Sequence, residues 1–451
     1  MFFFGIICLF DKMEKGAEKG FRKRGAIMKE ATTSKPIGTP FFYGWLIVAI
    51  AALGVFFSGP GQTYSVSVFI DYYIKDFEWS RSLVSGIYSS ATLLAGLLLS
   101  VIGRMVDKHG QRKMAVLVGT MLAVACFWNS FIIGPIMMFI GFFLIRLFGQ
   151  GSMTLVPNTL VPQWFIAKRG RALSFMAIGG FLSSAAFPPL NAWMITSFGW
   201  QTTWRIWGTI LLIVFVPLAY FFVRNRPEDI GLLPDDASNP KKVKEEKEEL
   251  QSIDEDVSWT LKEAMRTRAF WLILFCVSIP ALVNTGLTFH LVSILGGNGL
   301  STTTAATVLS IMAVVGFPVT MVSGFILERV KVHIVLAVSF LGQITFILML
   351  NHVNTFILAV LFGIIWGMIG GIERITLNII WPDYFGREHL GSIKGVAMTT
   401  MVIGSAFGPL PFGIAYDIFG GYTEILYLTL LFPILGIFAA LFAPPPERNS
   451  Q

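Results

Sequence analysis

Two arginines and one glutamate stand where charge is expensive. Arg146 lies in LIRLFGQG, and Glu373 and Arg374 lie side by side in GMIGGIERITLN, all within long apolar runs. An ionisable group in such a run faces a cavity or a partner, because hydrocarbon does not solvate it. A guanidinium suits bidentate binding of a carboxylate, and a neighbouring glutamate can carry a coupling proton. Each also has a structural role open to it. Arg146 can be packed and hydrogen-bonded to the first span. The Glu373–Arg374 pair can join an ion-pair network with the loops, Glu328 among its members. Adjacent helical residues point about 100° apart, so the pair need not share a face.

A second group of candidates is polar but uncharged. SGPGQTY (58–64) interrupts an apolar run. Pro60 removes a helix hydrogen bond and the glycines beside it permit a break. A broken helix at binding depth exposes backbone to a solute, which makes Gln62 and Tyr64 candidates; a simple kink is the alternative. Asn284 and Thr288 share one helix face at i, i+4. His290 either titrates near neutrality or is held structurally. Tyr88 and Gln150 complete the substrate-binding candidates, and Trp366 is expected to pack against lipid or a neighbouring helix. No nucleophile–base constellation, metal cluster or phosphate loop stands in the sequence, so neither an enzyme, a metal nor a cofactor is expected.

The elements that position these residues must be membrane helices. Of 451 residues 54% are hydrophobic and 14% charged, against about 25% charged in an ordinary soluble domain. A span needs about 20 mostly apolar residues. That length fits twelve stretches: 43–69, 81–106, 114–134, 136–161, 171–197 and 203–223, then 269–295, 302–327, 333–351, 355–380, 391–417 and 423–443. GSAFGPLPFG (404–413) bends the eleventh. Residues 41–223 form one six-helix bundle and 269–443 another. Between them, 224–268 carries RNRPED, KKVKEEKEEL and DED and reads as a charged linker with a short amphipathic helix at 258–266. Residues 1–40 and 444–451 form polar tails. Within the first of them FFFGIICLF is too short to span, and translation is expected to start at Met28. The three cysteines, Cys8, Cys126 and Cys276, lack metal-ligand spacing.

The net charge of +7 would suggest nucleic acid for a soluble chain; here the placement of the charges excludes that partner. Lys and Arg collect in the 2–3 connection (Arg104, Lys108, Arg112, Lys113), the 4–5 connection (Lys168, Arg169, Arg171), the 8–9 connection (Arg329, Lys331) and the 10–11 connection (Arg387, Lys394). Connections on the other side hold only Lys75, Arg81 and Arg205. Cytoplasmic loops carry this excess, so both termini and the linker are expected in the cytoplasm, in a cell inner (plasma) membrane.

The halves also repeat at an offset of 220–221 residues. Gly103-x-x-x-Asp107 recurs as Gly324-x-x-x-Glu328, Pro162-Gln163-Trp164-Phe165 as Pro382-Asp383-Tyr384-Phe385, Gly151 as Gly371, and Pro189-Leu190 as Pro409-Leu410. Parallel repeats of this kind place a substrate site between the halves near the midplane, and rocking of one against the other gives alternating access.

GRMVDKHGQRK (103–113) resembles the signature loop between helices 2 and 3 of the major facilitator superfamily, carried here by Gly103, Asp107, Lys108, Gly110, Arg112 and Lys113. The resemblance implies a conformational-gating role for these residues and for Glu328. Within the superfamily, Tyr43-Gly44-Trp45 and WFIAKRGRALSFMAIGG (164–180) resemble the bacterial monocarboxylate transporter and oxalate/formate antiporter branch. The resemblance implies that spans 1, 4, 7 and 10 line the cavity and that Arg146 matches an arginine tied to proton coupling. The chain departs from the branch in having no charge in span 8, and in placing Lys394 near the start of span 11 rather than well inside it.

Residues and resemblance together give an all-α membrane protein of twelve transmembrane helices in two pseudo-symmetric halves. The expected function is secondary transport of a small organic anion, a monocarboxylate, by proton symport or anion exchange. A proton-coupled exporter of hydrophobic compounds or metabolites is the alternative within the fold, and a non-transporting membrane sensor the alternative outside it. The expected partners are membrane lipid, the solute and a coupling proton, and the residues leave the oligomeric state open, a monomer included.

Overall fold

The computed structural model describes residues 42–165, 168–234, 259–327, 330–386 and 390–446. The tail with Met28, most of the linker, and Glu328 and Arg329 lie outside these residues, as does the side chain of Asp107.

Twelve long helices run through the described residues. The first half holds α1 (Tyr43–Phe77), α2 (Arg81–His109), α3 (Gln111–Asn129), α4 (Pro135–Trp164), α5 (Arg171–Phe198) and α6 (Trp200–Phe222). The second holds α7 (Arg268–Gly297), α8 (Thr302–Leu327), α9 (Val332–Leu350), α10 (Phe356–Phe385), α11 (Ile393–Phe419) and α12 (Thr423–Leu441). Eleven of them are long and apolar enough to cross a bilayer. The exception, α3, starts on Gln111, Arg112 and Lys113 and ends on Asn129, which shortens its apolar stretch. α1 runs on to Phe77, past the expected end near residue 69, because the break at Gly59–Gly61 is followed by a second helical segment, Thr63–Phe77. The amphipathic helix expected at 258–266 is a single turn, Leu261–Ala264, closed by a Thr260–Glu263 capping box.

Local chemistry sets the ends. Ser80 caps α2 by accepting from the Leu83 N–H at 3.2 Å, and Thr267 caps α7 through the Phe270 N–H at 3.2 Å. Gly110 turns the chain between α2 and α3 at φ 82°, a region that a side chain disfavours. α11 bends at Gly408, where its two helical segments meet. A Cβ there would sit 2.5 Å from the Leu282 carbonyl of α7, so the bend doubles as a close helix crossing.

Two hydrophobic cores form, one from α1–α6, joined by Phe289 of α7 and Ala306 of α8, and one from α7–α12. The outer surface is itself apolar: Ile133, Ile136 and Ile357 are 79%, 78% and 72% exposed. Lipid is the solvent that such a surface requires. Between the halves α2 packs against α11, α5 against α8, and the outer segment of α1 against α7. The first two pairings are images of each other under the repeat.

The repeated Trp164-Phe165 and Tyr384-Phe385 do the same work twice. The Trp164 indole donates to the Arg224 carbonyl at 3.1 Å and the Tyr384 hydroxyl to the Ala443 carbonyl at 2.7 Å. Each ties the fourth helix of its half to the end of the sixth. Trp45 stacks near Phe165 at 5.0 Å and Tyr43 near Trp164 at 5.6 Å, so the Tyr-Gly-Trp motif and the Trp-Phe motif, far apart in sequence, meet in one aromatic cluster.

Candidate functional site

Between the halves lies a cavity of about 340 Å³. The second half supplies most of its wall: Asn284 and Thr288 from α7, Met312 from α8, Trp366 and Arg374 from α10. The first half contributes Tyr64 from α1 and Ser184 from α5. Small residues on α10, Gly367, Gly370 and Gly371, keep the wall thin on one side. Gly371 is required there for a second reason, since a Cβ would lie 2.7 Å from the Gly316 carbonyl of α8.

Arg374 stands exposed on the cavity wall. Its guanidinium lies 5.3 Å from the centre of the Phe181 ring of α5, and Phe181 in turn packs on Phe317 of α8 at 4.1 Å. Among the described residues no carboxylate lies at ion-pairing distance from it. Tyr64 is held beside it by a hydrogen bond from its hydroxyl to Ser183 at 2.8 Å. The arrangement is one uncompensated cation, aromatic faces and a few hydroxyls, which is chemistry for an amphipathic anion.

Glu373 points elsewhere, as the 100° step between neighbours allows. It is 3% exposed and reaches the cavity edge. The Trp366 indole donates to Asn284 Oδ1 at 2.8 Å, and the Asn284 amide donates to Glu373 Oε2 at 3.5 Å. Of the two places expected for Trp366, lipid or a neighbouring helix, the structure gives the second: it is buried against Phe346 of α9 and serves as the donor that orients Asn284 of α7. Gln343 of α9 also comes to the carboxyl. It was missed because a lone glutamine in an apolar span gives no signal of which way it faces.

Arg146 is not on the cavity wall. It is buried in a stretch of α4, Ile145–Ser152, that winds as π-helix. Its guanidinium donates to the Gly61 carbonyl at 3.1 Å, to Thr63 at 3.3 Å and to Thr92 at 3.0 Å, and stacks on the Tyr88 ring at 4.9 Å. The Tyr88 hydroxyl donates to Thr63 at 2.8 Å. The break in α1 frees backbone carbonyls, which need donors away from water, and Arg146 is that donor. Gln62 bonds Ser58 at 3.0 Å within the break, and the Gln150 backbone lines the groove that receives Gly61. Neither lines the cavity.

His290 lies in the seam on the face opposite the basic loops. It is 1% exposed and meets Ser85 of α2 at 3.2 Å, the Pro409 carbonyl of α11 at 3.0 Å and the Tyr422 hydroxyl at 3.2 Å. Beside it Asp417 of α11 accepts from the Arg81 and Ser82 backbone N–H groups at 3.2 and 2.8 Å. Arg81 pairs with Asp71 at 2.6 Å and stacks on Tyr416 at 4.4 Å. This network fastens the two halves together.

At the basic face Arg112 donates to the Tyr220 carbonyl at 2.9 Å through its side chain and to Asn225 at 2.9 Å through its backbone. A Cβ on Gly110 would meet Asn225 at 2.9 Å. Lys108 and Lys113 are exposed. A Cβ on Gly103 would meet only ordinary contact with Leu155, at 3.9 Å, so no close helix approach is made there in this conformation.

The family model described as Major Facilitator Superfamily matches residues 51–409. The chain is 24% identical to Monocarboxylate transporter 2 of Homo sapiens, over 86% of this chain and 82% of that protein. It is 27% identical to the Aspyridones efflux protein apdF of Emericella nidulans, over 88% of this chain and 76% of that one. Its fold is similar to the crystal structure of a bacterial homolog of the human lysosomal transporter Spinster, in an inward-facing and occupied conformation. That likeness has a TM-score of 0.69 at 14% identity and covers 90% of this chain and 97% of the other.

Proposed function

We propose, from a chain that belongs to the Major Facilitator Superfamily, that this protein carries a small organic anion, a monocarboxylate, across the plasma membrane by alternating access. Its activity is transport rather than catalysis. The observation that supports the anion is Arg374: a guanidinium on the wall of an inter-half cavity, with no carboxylate partner among the described residues. Such a group is costly to hold in place unless an anion completes it. Tyr64, Asn284 and Thr288 supply the remaining polar contacts, and Trp366, Met312 and Phe181 the apolar ones. Proton symport or anion exchange drives the cycle, with Glu373 as the proton carrier. The likeness to Monocarboxylate transporter 2 is consistent with this reading.

The basic face is the cytoplasmic one, which puts both termini and the 224–268 linker inside. The Arg81–Asp417–His290 seam then closes the outside, and the cavity belongs to an inward-facing state. The two bundles, 41–223 and 269–443, rock about the cavity, and the Arg112 clamp on Tyr220 and Asn225 joins the signature loop to that motion. Export of a hydrophobic metabolite is the second reading. It is favoured by the methionines and aromatics of the wall and by the likeness to an efflux protein.

The two are separated in proteoliposomes loaded with full-length protein and offered labelled monocarboxylates from acetate to benzoate under an imposed pH gradient. Uptake of at least one carboxylate, lost in Arg374→Met, is expected. Movement of neutral apolar solutes with no carboxylate moved would reject the anion reading.

A further inference from the structure

Glu373 and Gln343 share a feature that the anion site does not use. Both are buried, at 3% and 0% exposure, and they approach each other from α10 and α9. Yet among the described residues Glu373 Oε1 and both amide atoms of Gln343 have no hydrogen-bond partner at bonding geometry. Buried polar atoms are rarely left so, and two such groups meeting from separate helices make a built site.

The neighbours decide what the site takes. The Trp366 indole is donor only, so its bond to Asn284 Oδ1 fixes the Asn284 amide with Nδ2 toward Glu373. Asn284 therefore offers no oxygen, and of the three side chains that meet there only Glu373 and Gln343 do. A sodium ion would need more oxygen ligands than that, as hard cations of its kind do. A proton needs two. Gln343 is held by no other bond and can turn either end of its amide to Glu373. Its Nε2 donates to the carboxylate, and its Oε1 accepts from the carboxylic acid.

We infer that Glu373 and Gln343 form a proton-binding pair in which the Gln343 amide turns over as the carboxyl gains and loses its proton. The inference rests on the transport reading above and names the site of its coupling ion. The proton bonds to Glu373 Oε1 from cavity solvent and returns to it, the carboxylate lone pair accepting and releasing it. Because Gln343 can meet the carboxyl in either state, Glu373 Oε1 finds a partner both with and without its proton, and the cycle can pass through each. Gln343 is thus a positioning residue and Glu373 the group that binds.

Few other charges intervene. α8 carries no ionisable residue from Thr302 to Leu327. α9 carries only His333, which bonds Tyr384. α11 has Lys394, Tyr416 and Asp417 near its ends, and α7 has Arg268, Cys276 and His290. Arg374, the next residue in α10, faces the cavity and Tyr64, and Asp383 and Tyr384 lie near the far end of α10.

The test is an infrared titration of full-length protein in lipid, which needs no transport substrate. Wild type should show a carboxylic-acid C=O stretch that comes and goes with pH, and Glu373→Gln should lack it. In Gln343→Met the band should survive but move to higher frequency, because the acid O–H loses its acceptor while Asn284 keeps its bond to Oε2. Its midpoint should rise by about one pH unit, a tenfold change in proton affinity, since the ionised form loses the stronger, charge-assisted bond. Gln343→Asn substitutes if the methionine variant does not fold, and its band should shift likewise. An identical spectrum in wild type and Glu373→Gln, a band indifferent to residue 343, or a band abolished by replacing potassium chloride with sodium chloride would each overturn the inference. Wild type that shows the titration but carries no carboxylate would instead reject the transport reading and leave the proton pair standing.

Discussion

Arg146→Met and Arg374→Met should come apart in opposite directions in one thermal-stability experiment. Arg146 makes three hydrogen bonds, to Gly61, Thr63 and Thr92. Interhelical hydrogen bonds inside membrane proteins average about 0.6 kcal/mol, so the three give a floor of about 2 kcal/mol. The orphaned Gly61 carbonyl adds about 1–3 kcal/mol. Removing a desolvated charge offsets part of this, which leaves a net loss of about 2–4 kcal/mol. Purified Arg146→Met should therefore melt several degrees below wild type. A monocarboxylate at 100 times its Kd should still stabilise the variant by about 2.7 kcal/mol. Arg374 stacks on one ring and makes no side-chain hydrogen bond among the described residues, so Arg374→Met should melt within about 1 kcal/mol of wild type. Its carboxylate affinity should fall by the worth of a charge-assisted bond, about 1.5–3 kcal/mol. At the same ligand concentration the stabilisation then drops to between about 0.3 and 1.3 kcal/mol. The reasoning is refuted if Arg146→Met melts like wild type and loses the ligand response while Arg374→Met keeps it.

Asp417→Asn weakens the acceptor for two N–H groups at the start of α2. At about 1 kcal/mol this should shift the population of the state open at this seam about fivefold, read by spin-label distances across α2 and α11; unchanged distances would remove Asp417 from the latch. Gly61→Ala drives a methyl into the Ile145 carbonyl and to 2.6 Å from the Gln150 N–H and should cost about 1–3 kcal/mol, with a melting temperature equal to wild type counting against the close crossing. Tyr384→Phe leaves the buried Ala443 carbonyl without its donor. It should destabilise by about 1–2 kcal/mol with uptake affinity unaltered, and a changed affinity would mean that the Tyr384–Ala443 tie is felt at the cavity.

The span pattern was legible in the sequence because lipid imposes it: a run of apolar residues of fixed length has one reading, and the basic loops sort its ends. The third span was read as 114–134 on its apolar length, and the structure starts it three residues earlier, on Gln111, Arg112 and Lys113. Site residues were harder. Asn284, Thr288 and Tyr64 come to the cavity as their helices suggested, but apolar periodicity says little about rotation when both lipid and core are apolar. Gln343 and Trp366 were opaque for that reason. Neither differs in sequence from a residue that merely packs, and only the position of Asn284 and Glu373 on neighbouring helices gives them work. Arg146 looked like Arg374 because both are arginines at depth in spans that the family resemblance assigned to the cavity, but no residue of α4 lines it.

The repeat explains why the two arginines differ. At an offset of 220, Pro60 falls on Pro280 and Arg146 on Trp366. Pro60 has Gly59 and Gly61 beside it, and α1 breaks there into two segments. Pro280 has Ile279 and Ala281 beside it, and α7 continues through as one helix. Proline alone thus bends the span, and glycine neighbours are needed to part it. A parted helix strands a carbonyl in a dry interior, and the donor facing it must be strong enough to hold the break. The first half uses a guanidinium at that register, on Gly61. The second half has no break to hold, so an indole suffices there and binds a side chain, Asn284, instead. Arg146 is therefore the counterpart of Trp366, not of Arg374. Arg374 lies eight residues beyond Trp366 in the same helix, and at the matching place in the first half stands Thr154, which bonds only its own helix. The cation on the cavity wall has no twin, and that asymmetry gives an otherwise repeated structure one charged end to which an anion can be oriented.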